Sequence, residues 1–234
     1  MYGTVVLSVA LDLLEEVYGP QPPPGITDAW EQVLLENVVY LAGDERRLLA
    51  FELLRTRIGT APPALLACDI ADLSEVTGMG IRAGAQARKL QAAAREALAH
   101  FGGDLSGALA SMPPADARRA LRRFPAIGEP AADRILLVAG THSVPAVDSN
   151  GLRALVRLGL VPEASSYAVT YRSAVALLGA AVHPERASLL RAYLLLRTHG
   201  RELCRRSTPA CAACPLAHRC GHARRAGVLR PGPG

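Results

Sequence analysis

The sequence predicts an all-α protein, and three observations carry that prediction. Half of the 234 residues are hydrophobic but only 4% are aromatic, so the core must be built mainly from aliphatic side chains. Alanine and leucine, both strong helix formers, dominate the composition. Apolar residues recur at spacings of three and four more often than they alternate. We therefore expect helices and no strands, in one domain or two small lobes.

The N-terminal half is predicted to be a series of helices separated by glycine and proline. Residues 5–11 are apolar but too short to span a bilayer, so we predict an amphipathic helix over residues 4–18. Asp28 followed by Glu31 is a capping-box-like start for a helix through Ala42, with Leu41 on its apolar side. Further helices are predicted over 44–57, 62–76 (as one or two), 82–100 and 115–124.

The charge balance is mildly basic. Lysine and arginine number 26 against 21 acidic residues, for a net charge of +5. This excess is compatible with a polyanionic partner but does not by itself indicate one. Lys89 is the only lysine in the chain. The sequence shows no signal peptide and no membrane-spanning segment, so we expect no membrane partner and a cytoplasmic location.

The chain ends in a group of closely spaced cysteines. Cys204, Cys211, Cys214 and Cys220 follow the pattern C-x6-C-x2-C-x5-C. Zinc sites usually contain two C-x2-C pairs with a longer insert between them, whereas this chain has one such pair between two single cysteines. The spacing therefore favours an iron–sulfur cluster held by four thiolates. Zinc remains an alternative, and so do disulfides or free thiols, although cytosolic thiols stay reduced.

Two further motifs precede the cysteines in a fixed order. Residues 121–132 read Leu-Arg-Arg-Phe-Pro-Ala-Ile-Gly-Glu-Pro-Ala-Ala, and residues 147–150 read Val-Asp-Ser-Asn. Together with the cysteine pattern, they resemble the endonuclease III group of helix-hairpin-helix DNA glycosylases. The resemblance runs from about residue 30 to residue 220. It implies a [4Fe–4S] cluster bound by the four cysteines.

The resemblance also implies a two-lobed fold. Residues 26–140 would form a six-helix lobe that ends in the hairpin. Residues 1–25 and 141–222 would form the lobe that carries the catalytic aspartate and the cluster, followed by a flexible tail over 223–234. The cleft between the lobes would hold the hairpin and Asp148.

The hairpin has a physical logic of its own. Pro125 ends one helix, Gly128 permits a tight turn, and Pro130 suits the first turn of the next helix because its missing amide costs nothing there. A helix N-terminus of this kind binds anions. By resemblance, it would grip a DNA phosphate through the main chain of Pro125, Ala126, Ile127 and Gly128, with Ala126 where the family has a second glycine. The alternative is an ordinary corner between two helices.

Two positions bear on the chemistry. In bifunctional relatives, a lysine that attacks the deoxyribose stands where this chain has Pro130. Asp148 falls where the family places its catalytic aspartate, and a carboxylate there stabilises the sugar cation and activates water. A lone Asp148 before Ser-Asn-Gly is equally typical of a helix N-cap. The resemblance implies a monofunctional glycosylase, and a second acid is in doubt because Gln32 occupies the matching position with Glu36 one turn later.

The remaining site residues are predicted from their positions in the motifs. Arg205 and Arg206 lie between the first two cysteines and would contact the DNA backbone. Residues in the base pocket or in a wedge that fills the vacated base stack are Gln32, Glu36, Asn37, Tyr40, Arg82, Pro130 and Arg134. The expected partner is double-stranded DNA with a damaged or mismatched base, bound by a nucleoid-associated monomer. A non-catalytic DNA-binding or damage-sensing iron–sulfur protein is the alternative.

Overall fold

The structure is a computed structural model that describes residues 2–228. The chain divides into two compact units. The terminal unit combines Met1–Pro23 with Ser143–Gly234, and the central unit is Pro24–His142. The sequence analysis placed the boundaries of the six-helix lobe at residues 26 and 140, close to those of the central unit. Within residues 2–228 every regular element is helical and no strand is present, which confirms the prediction of an all-α protein.

The α-helices are numbered in chain order, and two single 3-10 turns at Cys211–Ala213 and Ala217–Arg219 lie between the last two. They are α1 (Tyr2–Tyr18), α2 (Ala29–Val38), α3 (Asp44–Arg57), α4 (Pro62–Ala67), α5 (Ile70–Thr77), α6 (Ala83–Phe101), α7 (Leu105–Ala110), α8 (Pro114–Leu121), α9 (Glu129–Ala139), α10 (Ser149–Leu158), α11 (Tyr167–Ala181), α12 (Arg186–Glu202) and α13 (Gly221–Arg225).

The central unit contains α2 to α9 and concentrates the few aromatic side chains. Trp30 lies 6.2 Å from Phe124, and Phe124 stacks on Phe101 at 5.6 Å between ring centroids. The indole N–H of Trp30 donates to the carbonyl of Thr60 at 2.7 Å, so this buried polar group is satisfied. These rings connect α2, the end of α6 and the segment before the hairpin.

The terminal unit packs α1 against the C-terminal helices. Its core contains Leu7 and Leu14 of α1 together with Leu155, Tyr171 and Leu195. This explains how a segment at the start of the chain joins a unit that is otherwise C-terminal. An exposed ion-pair group adds to the contact, because the Arg191 guanidinium donates to the carboxylates of Asp12 and Glu15 at 2.8–3.0 Å.

Several element boundaries differ from the sequence-based expectation. The helix predicted to run to Ala42 ends at Val38. The segment 62–76 forms two helices, and the short α7 was not predicted. The first residues of the predicted tail belong to α13, where Ala223 is buried; residues 229–234 of that tail lie outside the described residues. Among residues 2–228, no helix is long and apolar enough to cross a membrane.

Candidate functional site

The hairpin of the central unit lies between α8 and α9. Gly128 is the N-cap of α9 with extended backbone angles, and Pro130 lies in the first helical turn. Among the described residues, the backbone N–H groups of Gly128 and Glu129 donate to no protein acceptor. The hairpin therefore presents a helix N-terminus with open donors, as expected for an anion site.

Ala126 has a left-handed backbone with φ +60°. A glycine adopts this conformation without strain, whereas for alanine it raises the conformational free energy by roughly 1 kcal/mol. The turn is thus formed with alanine at a small energetic cost.

A buried asparagine on α2 holds the hairpin in position. The Asn37 side-chain amide donates to the carbonyl of Pro125 at 2.9 Å and to Val33 of its own helix at 2.9 Å. Gln86 in turn donates to the Asn37 carbonyl at 2.9 Å. Asn37 is completely buried, so it positions the hairpin and does not face solvent.

A polar network links α2, α3 and α9 in the central unit. The Arg134 guanidinium contacts the side-chain oxygen of Gln32 and donates to Glu36 at 2.9 Å. Arg47 donates to the same Glu36 oxygen at 3.3 Å. Among the described residues, Arg47 Nε is buried without a hydrogen-bond partner, as is the Asn37 side-chain oxygen. Gln32, Glu36 and Arg134, which were predicted as base-pocket or wedge residues, are thus brought together.

The loops after α2 and α5 form an exposed apolar surface that the sequence analysis did not find in full. Leu41 has φ +53° and is 75% exposed, and Ile81 is 50% exposed. The two loops are joined because the Ile81 amide donates to the Tyr40 carbonyl at 3.4 Å, and a Cβ on Gly80 would lie 3.0 Å from the Tyr40 backbone. Arg82, with φ +60°, begins α6 beside them.

Leu41 was expected on the buried side of α2. That prediction is wrong because the helix ends at Val38, which leaves Leu41 in a loop.

Asp148 belongs to the terminal unit and caps α10. Its Oδ1 accepts hydrogen bonds from the backbone amides of Asn150 and Gly151 at 3.0 and 2.8 Å. Its Oδ2 accepts from the Asn150 side chain at 3.0 Å and lies 3.3 Å from Arg197 Nε. The side chain is 21% exposed. The carboxylate is therefore held rigidly, with one oxygen satisfied by the helix and the other surrounded by side-chain donors.

The start of α10 crosses α12 at unusually close range. A Cβ added to Gly200 would lie 2.4 Å from the Asn150 carbonyl oxygen, and one added to Gly151 would lie 3.1 Å from Leu196 Cβ on α12. Only glycine fits this crossing, and the crossing places α12 directly behind the cap formed by Asp148.

Gly200→Ala should destabilise the protein by roughly 1–3 kcal/mol, because the new methyl group meets backbone and the two helices must separate. Denaturant unfolding measures this change. Gly179→Ala in the neighbouring α11 is the control, since its Cβ would lie at an ordinary 3.4 Å from Pro145 and alanine raises helix propensity. Equal stability of the two variants would contradict the close crossing.

Two arginines connect α10 to the cysteine loop. Arg153 donates to the Asn150 side chain at 3.0 Å, to the Gly200 carbonyl at 2.6 Å and to the Cys204 carbonyl at 2.9 Å. One turn later, Arg157 donates to the carbonyls of Arg205 and Arg206 at 2.7 and 2.9 Å. The helix capped by Asp148 therefore also holds the first turn of the cysteine loop.

The four C-terminal cysteines line one cavity that is partly open to solvent. Arg157 donates to the Cys204 sulfur at 3.4 Å, and the Cys220 sulfur lies 3.3 Å from the Arg157 carbonyl oxygen. All four are free cysteines in the structure. In the described part of the chain, no three or more His, Cys, Asp or Glu side chains are grouped closely enough to hold a metal ion.

Burial governs the ionisation of the groups around this cavity. It raises the pKa of the Cys214 thiol to about 11, and it also raises the pKa of Cys211. It lowers the pKa of His199 to about 4, and together with the nearby cysteines it raises the pKa of Tyr18 to about 12. His199 and Tyr18 are therefore uncharged at neutral pH, and the raised pKa values keep the Cys211 and Cys214 thiols protonated there in the absence of a metal.

Comparison with known proteins identifies the fold. No protein-family model matches the chain, and no curated protein matches its sequence. Endonuclease III in a trapped covalent DNA intermediate matches with a TM-score of 0.79 and 17% identity, over 95% of this chain and 98% of that chain. A thermostable thymine-DNA glycosylase matches with a TM-score of 0.75 and 15% identity, over 95% and 97%.

The 3-methyladenine DNA glycosylase of H. pylori, bound to 1,N6-ethenoadenine, matches with a TM-score of 0.60 and 20% identity, over 85% and 94%. At these identities the likeness establishes the fold alone. The chain has the helix-hairpin-helix DNA glycosylase fold, as its three ordered motifs predicted.

Proposed function

We propose that this protein is a monofunctional DNA glycosylase that hydrolyses the N-glycosidic bond of a damaged or mismatched base. The observation that carries the proposal is Asp148, a fixed and partly exposed carboxylate at the start of α10 in a fold shared with DNA glycosylases. Pro130 stands where a lysine nucleophile would be required for strand cleavage. Water is therefore the nucleophile.

Asp148 can perform this chemistry with the contacts that it has. Departure of the base builds positive charge on the deoxyribose, and a carboxylate held in place stabilises that charge without reorganising. Oδ1 is committed to the helix amides, so Oδ2 is the oxygen available to orient or deprotonate water. Arg197 and the Asn150 side chain keep Oδ2 in position.

DNA is the proposed partner. The open amides of Gly128 and Glu129 suit a phosphate, and solved structures of the same fold include endonuclease III in complex with DNA. Leu41 and Ile81 are exposed apolar side chains on two joined loops. We assign them to the wedge that fills the stack when the target base is extruded, a step that glycosylases require.

The network around Glu36 is the proposed base-reading surface of the central unit. Glu36 is shared by Arg134 and Arg47, so its role is to orient these donors and not to act as a second acid. The Gln32 side-chain oxygen contacts a second nitrogen of the Arg134 guanidinium and helps to hold it in place.

The cysteine cavity is proposed to hold a [4Fe–4S] cluster. The cysteine spacing supports this choice over zinc, because the chain has one C-x2-C pair between two single cysteines and not the two such pairs that are usual in zinc sites. Cys204, Cys211, Cys214 and Cys220 would be the ligands. The cluster would link α10, α12 and the C-terminal turns, which is a structural role.

Binding to undamaged duplex DNA should weaken as salt rises, because phosphate contacts release counterions. Arg205 is exposed and its backbone is fixed by Arg157. Arg205→Ala should reduce the slope of log affinity against log salt by about one unit. The control is Arg55→Ala, which removes an exposed arginine paired with Glu52. An unchanged slope for Arg205→Ala would show that Arg205 does not contact the DNA phosphates.

Borohydride should trap no covalent complex with damaged DNA, because no lysine occupies the hairpin. Lys89, the only lysine, lies on α6 with its ammonium 5.8 Å from the centre of the Tyr40 ring. A bifunctional endonuclease III serves as the positive control, and Lys89→Arg distinguishes the Lys89 amine from the α-amine of the N-terminus, the other possible source. Trapping that disappears in Lys89→Arg would show that Lys89 reaches the sugar.

The substrate is to be identified with a panel of duplexes that carry alkylated, deaminated or oxidised bases, with released bases identified by mass. Release of one class of base by the wild-type protein is the expected result. If the protein binds these duplexes but releases no base from any of them, the proposed catalysis is contradicted and a non-catalytic damage sensor is favoured.

A further inference from the structure

The surroundings of Cys214 contain two polar side chains that the proposed chemistry does not use. We propose that Tyr18 and His199 form a hydrogen-bond relay that ends on the Cys214 sulfur, where it positions this ligand and raises the reduction potential of the bound cluster. The inference rests on the cluster proposed above. It concerns side chains of the terminal unit only.

The geometry of the relay is continuous. The Tyr18 hydroxyl lies 3.1 Å from His199 Nδ1, and His199 Nε2 lies 3.8 Å from the Cys214 sulfur. His199 is only 2% exposed, so its ring nitrogens depend mainly on protein partners. The two rings also pack against each other, with centroids 6.2 Å apart.

The direction of the hydrogen bonds follows from the state of the sulfur. A cysteine that binds iron is a thiolate with no proton to donate, so the nitrogen facing it must carry the hydrogen. In a neutral imidazole the other nitrogen is then an acceptor. Tyr18 therefore donates to Nδ1, and Nε2 donates to the Cys214 sulfur.

The relay is held in place by its neighbours in the terminal unit. Tyr18 is the last residue of α1. The Gln21 side chain donates to the Tyr18 carbonyl at 3.1 Å and accepts from the Thr198 hydroxyl at 2.8 Å. The end of α1 is thereby fixed to α12, so a segment almost 200 positions away in sequence completes the surroundings of a cysteine ligand.

Such a donor has two consequences for a metal site. Partners outside the ligand shell orient the ligands, and their removal typically costs about 10- to 100-fold in metal affinity. A hydrogen bond to a ligating sulfur stabilises the more negative reduced state, which raises the reduction potential. The relay should therefore influence both iron retention and potential.

The test uses the full chain purified anaerobically with its cluster. His199→Phe keeps a ring but removes the donor, and it should release iron to a chelator about 10-fold faster and lower the reduction potential measured by voltammetry. Tyr18→Phe should shift both quantities in the same direction by less, because the imidazole remains. His199→Gln keeps an N–H group and should restore part of the potential.

Tyr171→Phe, which removes a hydroxyl from a fully buried ring of the same unit, is the matched control and should leave the potential unchanged. A brown wild-type protein whose potential is unaffected by His199→Phe, or is shifted equally by Tyr171→Phe, would overturn the relay and leave the cluster assignment intact. A colourless wild-type protein that contains zinc would overturn the cluster and, with it, the relay.

Discussion

Asp148→Asn should reduce the rate of base release by about 10²- to 10⁴-fold while leaving DNA binding nearly unchanged. Asparagine retains an oxygen that can accept from the Asn150 and Gly151 amides, so the cap of α10 persists. It lacks the negative charge that stabilises the sugar cation. Single-turnover rates and binding isotherms on the same damaged duplex separate these two effects.

A matched control removes the same charge from a different helix cap. Asp104 caps α7 in the central unit through the Gly107 amide at 2.9 Å, and no chemistry is assigned to it. Asp104→Asn should retain the full rate. Full activity of Asp148→Asn would show that Asp148 is only a cap and that the catalytic group lies elsewhere.

Cys211→Ser should abolish the visible absorption of the anaerobically purified protein and lower its unfolding midpoint by roughly 10 °C or more. Cys211 is one of the four thiols around the cavity, and it packs against the core of the terminal unit. Loss of one ligand therefore removes a link between that core and the cysteine loop. Absorption spectra and thermal unfolding monitored by circular dichroism measure the two effects.

Cys68→Ser is the control for the loss of a thiol. Cys68 lies between α4 and α5 in the central unit, where burial and the nearby Asp72 and Asp69 raise its pKa. It is partly exposed. Its substitution should change neither colour nor midpoint appreciably. A Cys211→Ser protein that stays brown and equally stable would contradict the assigned ligands.

The features that the sequence predicted well are local ones. The Asp28 cap, the turn before Gly128 and the cap at Asp148 each depend on residues within four positions of one another. Their turn and capping preferences act before any tertiary contact forms. The all-α class followed from composition and periodicity, whereas the two-lobed fold followed from the family resemblance that the hairpin, the aspartate and the cysteine pattern carry together.

The features that the sequence did not predict depend on distant partners. Arg134 has acidic neighbours in its own helix at Glu129 and Asp133, but its guanidinium contacts Gln32 and Glu36 about 100 positions earlier. Asp133 pairs instead with Arg118 at 2.5 Å. Spacing along one helix does not predict these ion pairs, because tertiary packing determines which side chains from distant helices come into contact.

Leu41 illustrates a boundary error with a functional consequence. Its apolar character fits the buried stripe of a longer α2, so periodicity alone placed it in the core. The helix ends at Val38, and residue 41 takes a left-handed conformation in the loop. Gly43 is the end signal in the sequence, and it predicts an end at Ala42 and not at Val38.

The central claim is that the protein releases a base and leaves the strand intact. The direct measurement incubates wild-type protein with the substrate chosen from the panel, identifies the free base by mass, and resolves the labelled strand before and after alkali. We predict free base in both samples, with cleavage only after alkali. Strand cleavage that keeps pace with base release before alkali would contradict the monofunctional mechanism, and the absence of free base would contradict glycosylase activity.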